Sequence, residues 1–257
     1  MLDEFLEVQE GFVTGADSVF IRNAHEIPKS EKAIYVPYLP DREMERFNVP
    51  RKASRYVFHP FIGDKKLTEN ELKANFQETW DYLKRNSSTL RDRSSARAGS
   101  VLWWCPHRPM PVLKMLRPKL ISPHLILVPR FSFDETGKYA VSRSPWLVPK
   151  EETMGEELLR YFLAILNSTV AYWQIVQTSH KYSRGYAMLE KKTLRNLAVP
   201  NPKDVAPAAM KKLLSLVEKR LGDPDLKQVE TQLDELVSQL YGLSIEDRRQ
   251  IGLEKTQ

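Results

Sequence analysis

The feature that most constrains this chain is a change of pattern near residue 150. Before it, short β-branched and aromatic runs alternate with turn residues: Ser18-Val19-Phe20-Ile21, Ala33-Ile34-Tyr35-Val36, Arg55-Tyr56-Val57-Phe58, Val101-Leu102-Trp103-Trp104 and Leu125-Ile126-Leu127-Val128. Such residues suit a pleated, half-buried surface, so these runs are expected strands. Asp134-Glu135-Thr136-Gly137 separates Arg130-Phe131-Ser132-Phe133 from Lys138-Tyr139-Ala140-Val141, which predicts a hairpin with Gly137 at its tip. One helix interrupts this half. Thr68 is the expected N-cap, Glu71 completes a capping box, and Leu72, Phe76, Trp80 and Leu83 follow at helical spacing. After the change, helices are expected over residues 156–166, 168–177 and 208–221, the last closed by Gly222. From Leu226 on, Val229, Leu233, Leu236, Val237 and Leu240 mark an amphipathic helix, and Ser244 caps a short final one. The expected fold is α+β: a strand-rich body over residues 1–150, then a helical C-terminal part over residues 151–257.

A chain of 257 residues is long enough to bury a core, and 42% hydrophobic with 28% charged residues is too apolar for wholesale disorder. The single cysteine, Cys105, excludes an internal disulfide framework and a cysteine-cluster zinc site, and suits a reducing cytoplasm. Met1-Leu2-Asp3-Glu4-Phe5 carries acids where an export signal carries bases. Residues 158–176 are the most apolar stretch, yet Arg160, Asn167, Ser168 and Gln174 interrupt them, so a buried helix pair is expected there and not a membrane span. The expectation is a soluble, cytoplasmic protein with no membrane partner.

Charge is where the sequence begins to speak of partners. The net charge is +6 and the pI near 9.2, which leans towards a polyanion. Residues 84–130 hold ten bases (Lys84, Arg85, Arg91, Arg93, Arg97, Arg108, Lys114, Arg117, Lys119, Arg130) against one acid, Asp92. Most are arginines, whose planar fork matches phosphate and guanine, and Trp103 and Trp104 lie among them. A solvated face with its counter-charges elsewhere in the fold is the competing reading. A second cluster, His180-Lys181-Tyr182-Ser183-Arg184-Gly185-Tyr186 with Lys191, Lys192 and Arg195, reads either as a surface connector or as a loop that touches bases and phosphates.

Catalytic constellations are absent from the pattern. Asn201-Pro202-Lys203-Asp204 begins like the Asn-Pro-Pro-aromatic loop of amino-methyltransferases, but without the second proline and the aromatic it could not hold a flipped base, so it is read as a linker. No Gly-x-Gly follows an early strand, so no nucleotide or S-adenosylmethionine site is expected. Asp41, Glu71 and Lys73 fit a loose metal-nuclease pattern, although Glu71 already has a role at its helix start. The five histidines show no ligand spacing, and Cys105 reads as a buried thiol beside Trp104.

Six stretches, in order, resemble one family. Gly11-Phe12-Val13-Thr14-Gly15-Ala16-Asp17-Ser18-Val19-Phe20-Ile21 is similar to the Thr-Gly signature that opens the C-terminal specificity domain of TaqI-like adenine DNA methyltransferases. Trp80-Asp81-Tyr82-Leu83 with Leu90-Arg91-Asp92-Arg93 resembles its tyrosine-leucine helix, and Arg117-Pro118-Lys119-Leu120-Ile121 with residues 130–137 resembles its central strands. Tyr161 to Ser168 is similar to its leucine-asparagine-serine helix, and Leu194 to Pro200 to its leucine-proline segment, with Ala198 and Val199 as departures. Residues 233–244 resemble its closing aspartate-x-leucine-valine stretch. Each motif alone is weak, but together they cover residues 8–250.

The resemblance implies a target-recognition domain that docks on double-stranded DNA and positions a sequence for a methyltransferase domain or subunit lying N-terminal to it. S-adenosylmethionine would belong to that other part, and this chain is expected to hold no cofactor and no metal. The start of the chain just before the Thr-Gly motif is expected to mark a fragment of a longer modification or restriction-modification enzyme, with a separate specificity subunit as the alternative. The expected DNA contacts are Thr14, Gly15, Arg93, Arg97, Trp103, Arg108, Lys181, Arg184, Tyr186 and Lys191. Trp103 is first read as core, and Thr14-Gly15 first as a tight turn. Two other readings stay open: an RNA- or protein-binding basic scaffold, and a metal-dependent nuclease using Asp41, Glu71 and Lys73.

Overall fold

A computed structural model describes residues 1–11, 13–108, 112–151 and 155–253. Strands and helices are both present, and the architecture is α+β. Its centre is a five-stranded sheet in the order Leu6–Glu10, Pro145–Pro149, Lys119–Ile121, Ser132–Asp134, Phe47–Asn48. The pairs are antiparallel except for the Phe47–Asn48 edge, which runs parallel to Ser132–Asp134. The strand period of two divides the side chains between two cores. Leu6, Val8, Leu120, Phe133 and Leu147 join the helices, while Ile121, Trp146 and Val148 pack with Leu39, Met44, Tyr139 and Val141.

The helix Gly155–Leu166 lies across the first face, with Pro207–Gly222 and Gln228–Leu240 packed on it. The main core therefore runs from Leu2 to Val237, across residue 150. The change of sequence pattern there marks a change of secondary structure and not a division of the core. Asn167 ties the layers together: its amide donates to the Phe131 carbonyl (2.8 Å) and accepts from the Phe131 N–H (2.9 Å). Ser168 then caps the helix Thr169–Thr178, accepting from the Ala171 N–H at 3.1 Å. Asp234, in the closing motif, accepts from the N–H (2.7 Å) and hydroxyl of Thr169. Among the described residues no helix is long and apolar enough to cross a membrane.

A second core surrounds a three-stranded sheet, Ile21–Asn23, Arg55–Phe58 and Tyr35–Tyr38, with Arg55–Phe58 in the middle. Phe20, Ile34, Phe58, Leu72, Leu83, Leu90 and Trp104 fill it. A parallel bridge between Tyr38 and Ala140 joins it to the segment that links the main-sheet strands Ser132–Asp134 and Pro145–Pro149.

Several expected elements change. Ser18 to Phe20 belongs to a short helix, Asp17–Phe20, and only Ile21 starts the strand. Ala33 and Ile34 lie in a 3-10 turn before Tyr35–Tyr38, Leu125–Ile126 is a two-residue strand, and residues 101–104 form no strand because Trp104 is drawn into the second core. The helix after Thr68 keeps its capping box but breaks at Phe76. Glu31 causes the restart: its buried carboxylate accepts from the N–H groups of Glu78 (2.9 Å) and Thr79 (2.8 Å), the orphan donors of a new first turn. Gly222 is the last helical residue and Asp223 the cap.

The hairpin after Asp134 is replaced by a side-chain turn. Lys119 and Asp134 are cross-strand neighbours, both fully buried, with Nζ to Oδ2 at 2.7 Å. The Asp134 carboxylate also accepts from the N–H groups of Lys138 (3.3 Å) and Tyr139 (2.9 Å), so no ladder is needed on that side. Ala140 turns instead to Tyr38. Gly137 at the tip has φ +66°, and a Cβ there would lie 2.4 Å from the Arg117 backbone, so the turn admits only glycine.

Candidate nucleic-acid interface

The end of the first strand, Val13 just before the Thr-Gly turn, the Arg143 loop and the segment Met188 to Lys191 line an open cleft of about 710 Å³. Gln9, Glu10 and Gly11 at the end of the first strand form one wall. Val13 and Arg108 are bridged antiparallel beside it, and Met188 to Lys191 face them with His124 and Arg143. A short ribbon fixes the far wall. Ala187–Met188 pairs with Leu125–Ile126, Leu189 N–H donates to His124 O (2.8 Å), and Lys181 bridges Ala187. The loop of Lys181, Tyr182, Ser183, Arg184, Gly185 and Tyr186 thus rises from a ribbon that lines the cleft. Arg184 stands at its tip, exposed, with φ +62°.

The ten expected contacts separate into groups. Arg108 and Lys191 line the cleft; Lys181, Arg184 and Tyr186 sit on the adjacent loop. Gly15 is exposed in its turn at φ +75°. Thr14, by contrast, is buried; its hydroxyl donates to Asp17 and accepts from the Ala16 N–H (3.1 Å), which closes the turn before the helix Asp17–Phe20. Its carbonyl accepts from the His107 N–H at 2.9 Å.

Arg93 also points inward. Its guanidinium donates to the carbonyls of Leu90 (2.9 Å), Thr14 (3.1 Å), Trp103 (2.7 Å) and Cys105 (3.0 Å). Burial pulls its pKa below the ordinary arginine range. In this conformation Thr14 and Arg93 offer little to a ligand; they hold the Thr-Gly turn against residues 103–107. Trp103 is half-buried, edge-on to Trp80 at 5.4 Å, with the Arg91 guanidinium over its ring at 4.6 Å. Arg97 is exposed, 3.6 Å from Asp92, and is not among the residues that line the cleft.

The basic run 84–130 is accordingly not one face. Arg93 and Lys119 are buried, and Arg117 lies 3.9 Å from Glu7. Folding assembles a different set: Arg108, Arg143, Lys181, Arg184, Lys191 and Lys192 make no side-chain ion pair or hydrogen bond with any described residue. Arg143 and Lys192 were not among the expected contacts. The signal for Arg143 was present, since Ser142-Arg143-Ser144 has the small polar flanks that single out Arg184 in Ser183-Arg184-Gly185.

The nuclease constellation does not assemble. Asp41 accepts from the His124 N–H (2.9 Å) and the Ser144 hydroxyl, inside the main body. Glu71 caps its own helix and pairs with Lys65 at 2.6 Å, which holds its carboxyl down at about 2; Lys73 pairs with Glu69 at 2.7 Å. Among the described residues no three His, Cys, Asp or Glu side chains gather as a metal site.

No known protein family matches the chain as a profile. In sequence it is 21% identical to the type II methyltransferase M.BanIII of Aneurinibacillus aneurinilyticus, over 94% of this chain and 43% of that protein. In fold it is similar to part of MmeI, a type IIL restriction-modification enzyme solved in complex with DNA: TM-score 0.63, 15% identity, 93% of this chain and 33% of that one. It is also similar to part of the type IIG restriction endonuclease BpuSI, with TM-score 0.51, 14% identity, 94% of this chain and 31% of that one. The chain is thus homologous to a stretch of a type II methyltransferase and spans less than half the length of these proteins.

Proposed function

We propose that this chain is a DNA target-recognition domain of the TaqI-like kind, without a catalytic centre of its own. On this reading it positions a specific duplex sequence for an adenine methyltransferase domain or subunit of a restriction-modification system. That partner would carry S-adenosylmethionine. The observation that supports the reading most is the set of cations at and beside one cleft whose side chains form no ion pair or hydrogen bond with any described residue. A protein that needed those charges for stability would pair them, as it pairs Lys119 with Asp134. Homology to M.BanIII and fold likeness to MmeI, which was solved with DNA, point the same way.

The division of labour follows from the chemistry of duplex DNA. Arg108, Lys181, Arg184, Lys191 and Lys192 attract phosphates and set register, and that attraction is independent of sequence. Releasing counterions from about five phosphates makes affinity fall several hundredfold between about 50 and 200 mM salt. Fluorescence anisotropy of a labelled duplex, titrated with the chain across that range, tests the proposal. A flat salt dependence refutes it, and tighter binding to structured RNA of equal length favours the RNA-scaffold reading.

A further inference from the structure

Arg143 lies at the mouth of the cleft in a conformation that side-chain-bearing residues avoid, with φ +60°. The loop that holds it is fixed on both sides. Ser144 is buried; its hydroxyl donates to Asp41, and its carbonyl accepts from the Gly11 N–H at 3.1 Å. Asp41 also accepts from the His124 N–H (2.9 Å), so one carboxylate joins this loop to a cleft residue opposite. Gly11 packs so closely that a Cβ there would fall 2.1 Å from the Val141 carbonyl oxygen. Yet the Arg143 side chain is exposed and makes no hydrogen bond or ion pair with any described residue. The fold maintains an unfavourable backbone at a residue whose charge it does not use, an outlier of the kind that marks function.

The neighbours tell which part of DNA would meet it. Glu10, exposed and without a side-chain partner among the described residues, lines the same cleft, as do Gln9, which donates to Glu7, and Glu190, which pairs with His180 at 2.8 Å. The unpaired Glu10 carboxylate repels a phosphate at its own side of the cleft, whereas base edges in the major groove present acceptors on guanine and amino donors on cytosine and adenine. A rim that mixes an arginine with carboxylate and amide groups suits that alternation. We propose that Arg143 is a specificity residue that reads the N7 and O6 edge of a guanine, with Glu10 beside it facing base amino groups. This rests on the DNA reading above.

The test is selection of duplexes from a randomised pool at fixed salt, by the chain and by its Arg143→Ala and Arg143→Gly variants, followed by sequencing. The expected result is a motif with a guanine at one position. Both variants lose that preference, by roughly 5- to 150-fold, and keep the other positions and the salt slope. Glycine adopts φ +60° freely, so Arg143→Gly melts no lower than the parent chain and separates lost reading from lost folding. Uniform weakening with a salt slope lower by about one contact would assign Arg143 to phosphate and overturn the proposal. So would an unchanged motif, or binding by the parent chain with no motif at all. A parent chain that binds no duplex refutes the DNA reading itself, and this inference with it.

Discussion

Replacing Arg93 separates a DNA contact from a structural brace. Its guanidinium joins four carbonyls on three segments: Leu90 in a helix, Thr14 in the turn that opens the body, and Trp103 with Cys105 in the loop between them. It also stacks over Phe20 at 5.0 Å. Four charge-assisted bonds at about 1.5–3 kcal/mol each would sum to far more than any single residue contributes. Burial opposes them, as the lowered pKa of Arg93 shows. The expected net loss for Arg93→Ala is about 2–4 kcal/mol, because the carbonyls are left without donors while a costly buried charge is also removed. For a chain of this size that is a fall in Tm of roughly 4–16 °C. Arg93→Lys recovers less than half, since one ammonium cannot reach three segments at once. Urea unfolding followed by tryptophan fluorescence is the assay, because Trp103 and Trp104 flank the braced loop. Below the transition, the salt slope of DNA binding is expected to match that of the parent chain. An Arg93→Ala protein with an unchanged midpoint and lost DNA affinity would refute the reasoning.

Asp134→Asn strands the buried Lys119 ammonium and is expected to cost about 3–5 kcal/mol, most of it restored by adding Lys119→Met. Burial already lowers the Lys119 pKa, so the folded state holds that proton less tightly than the unfolded chain. The deficit therefore shrinks as pH rises towards the free-lysine value of about 10.4, measurable by denaturation at several pH values. Gly137→Ala forces a Cβ against the Arg117 backbone and a left-handed alanine, with an expected loss of about 2–4 kcal/mol by the same assay. Glu71, held down at about 2 by Lys65 and the Thr68 cap, contributes stability above its unfolded pKa that is lost as pH falls through about 2. Glu71→Gln accordingly flattens the acid limb of the Tm–pH profile. Arg184→Ala changes stability by no more than about 0.5 kcal/mol and lowers the salt slope of DNA binding by about one contact, seen by melting and anisotropy.

The motifs that carried the family resemblance turn out to be largely scaffold. The asparagine-serine of the helix pair binds the Phe131 backbone and caps the next helix, and the closing aspartate binds Thr169. Tyr82 of the tyrosine-leucine stretch donates to the Val19 carbonyl at 3.1 Å. The Thr-Gly turn closes on Arg93 and His107. These motifs mark the architecture, while the cations of the cleft lie largely outside them.

What the sequence determined by itself is what short-range physics governs. The capping box at Thr68, the Ser244 cap, the helix expected over residues 156–166 and the apolar repeat from Val229 to Leu240 depend on groups a few positions apart, so they are legible in the string, whereas Ser168, expected inside its helix, is found as the cap. Tertiary structure decided the rest. The helix break at Phe76 needs Glu31, which lies 48 residues before Thr79 in the chain. The lost hairpin needs Lys119 buried opposite Asp134. Whether an arginine braces carbonyls, as Arg93 does, or stands free at a cleft, as Arg143 does, is a matter of which segments meet around it. A charge in a sequence carries no record of the dielectric it will occupy, because burial is a property of the packed whole and not of the neighbours along the chain.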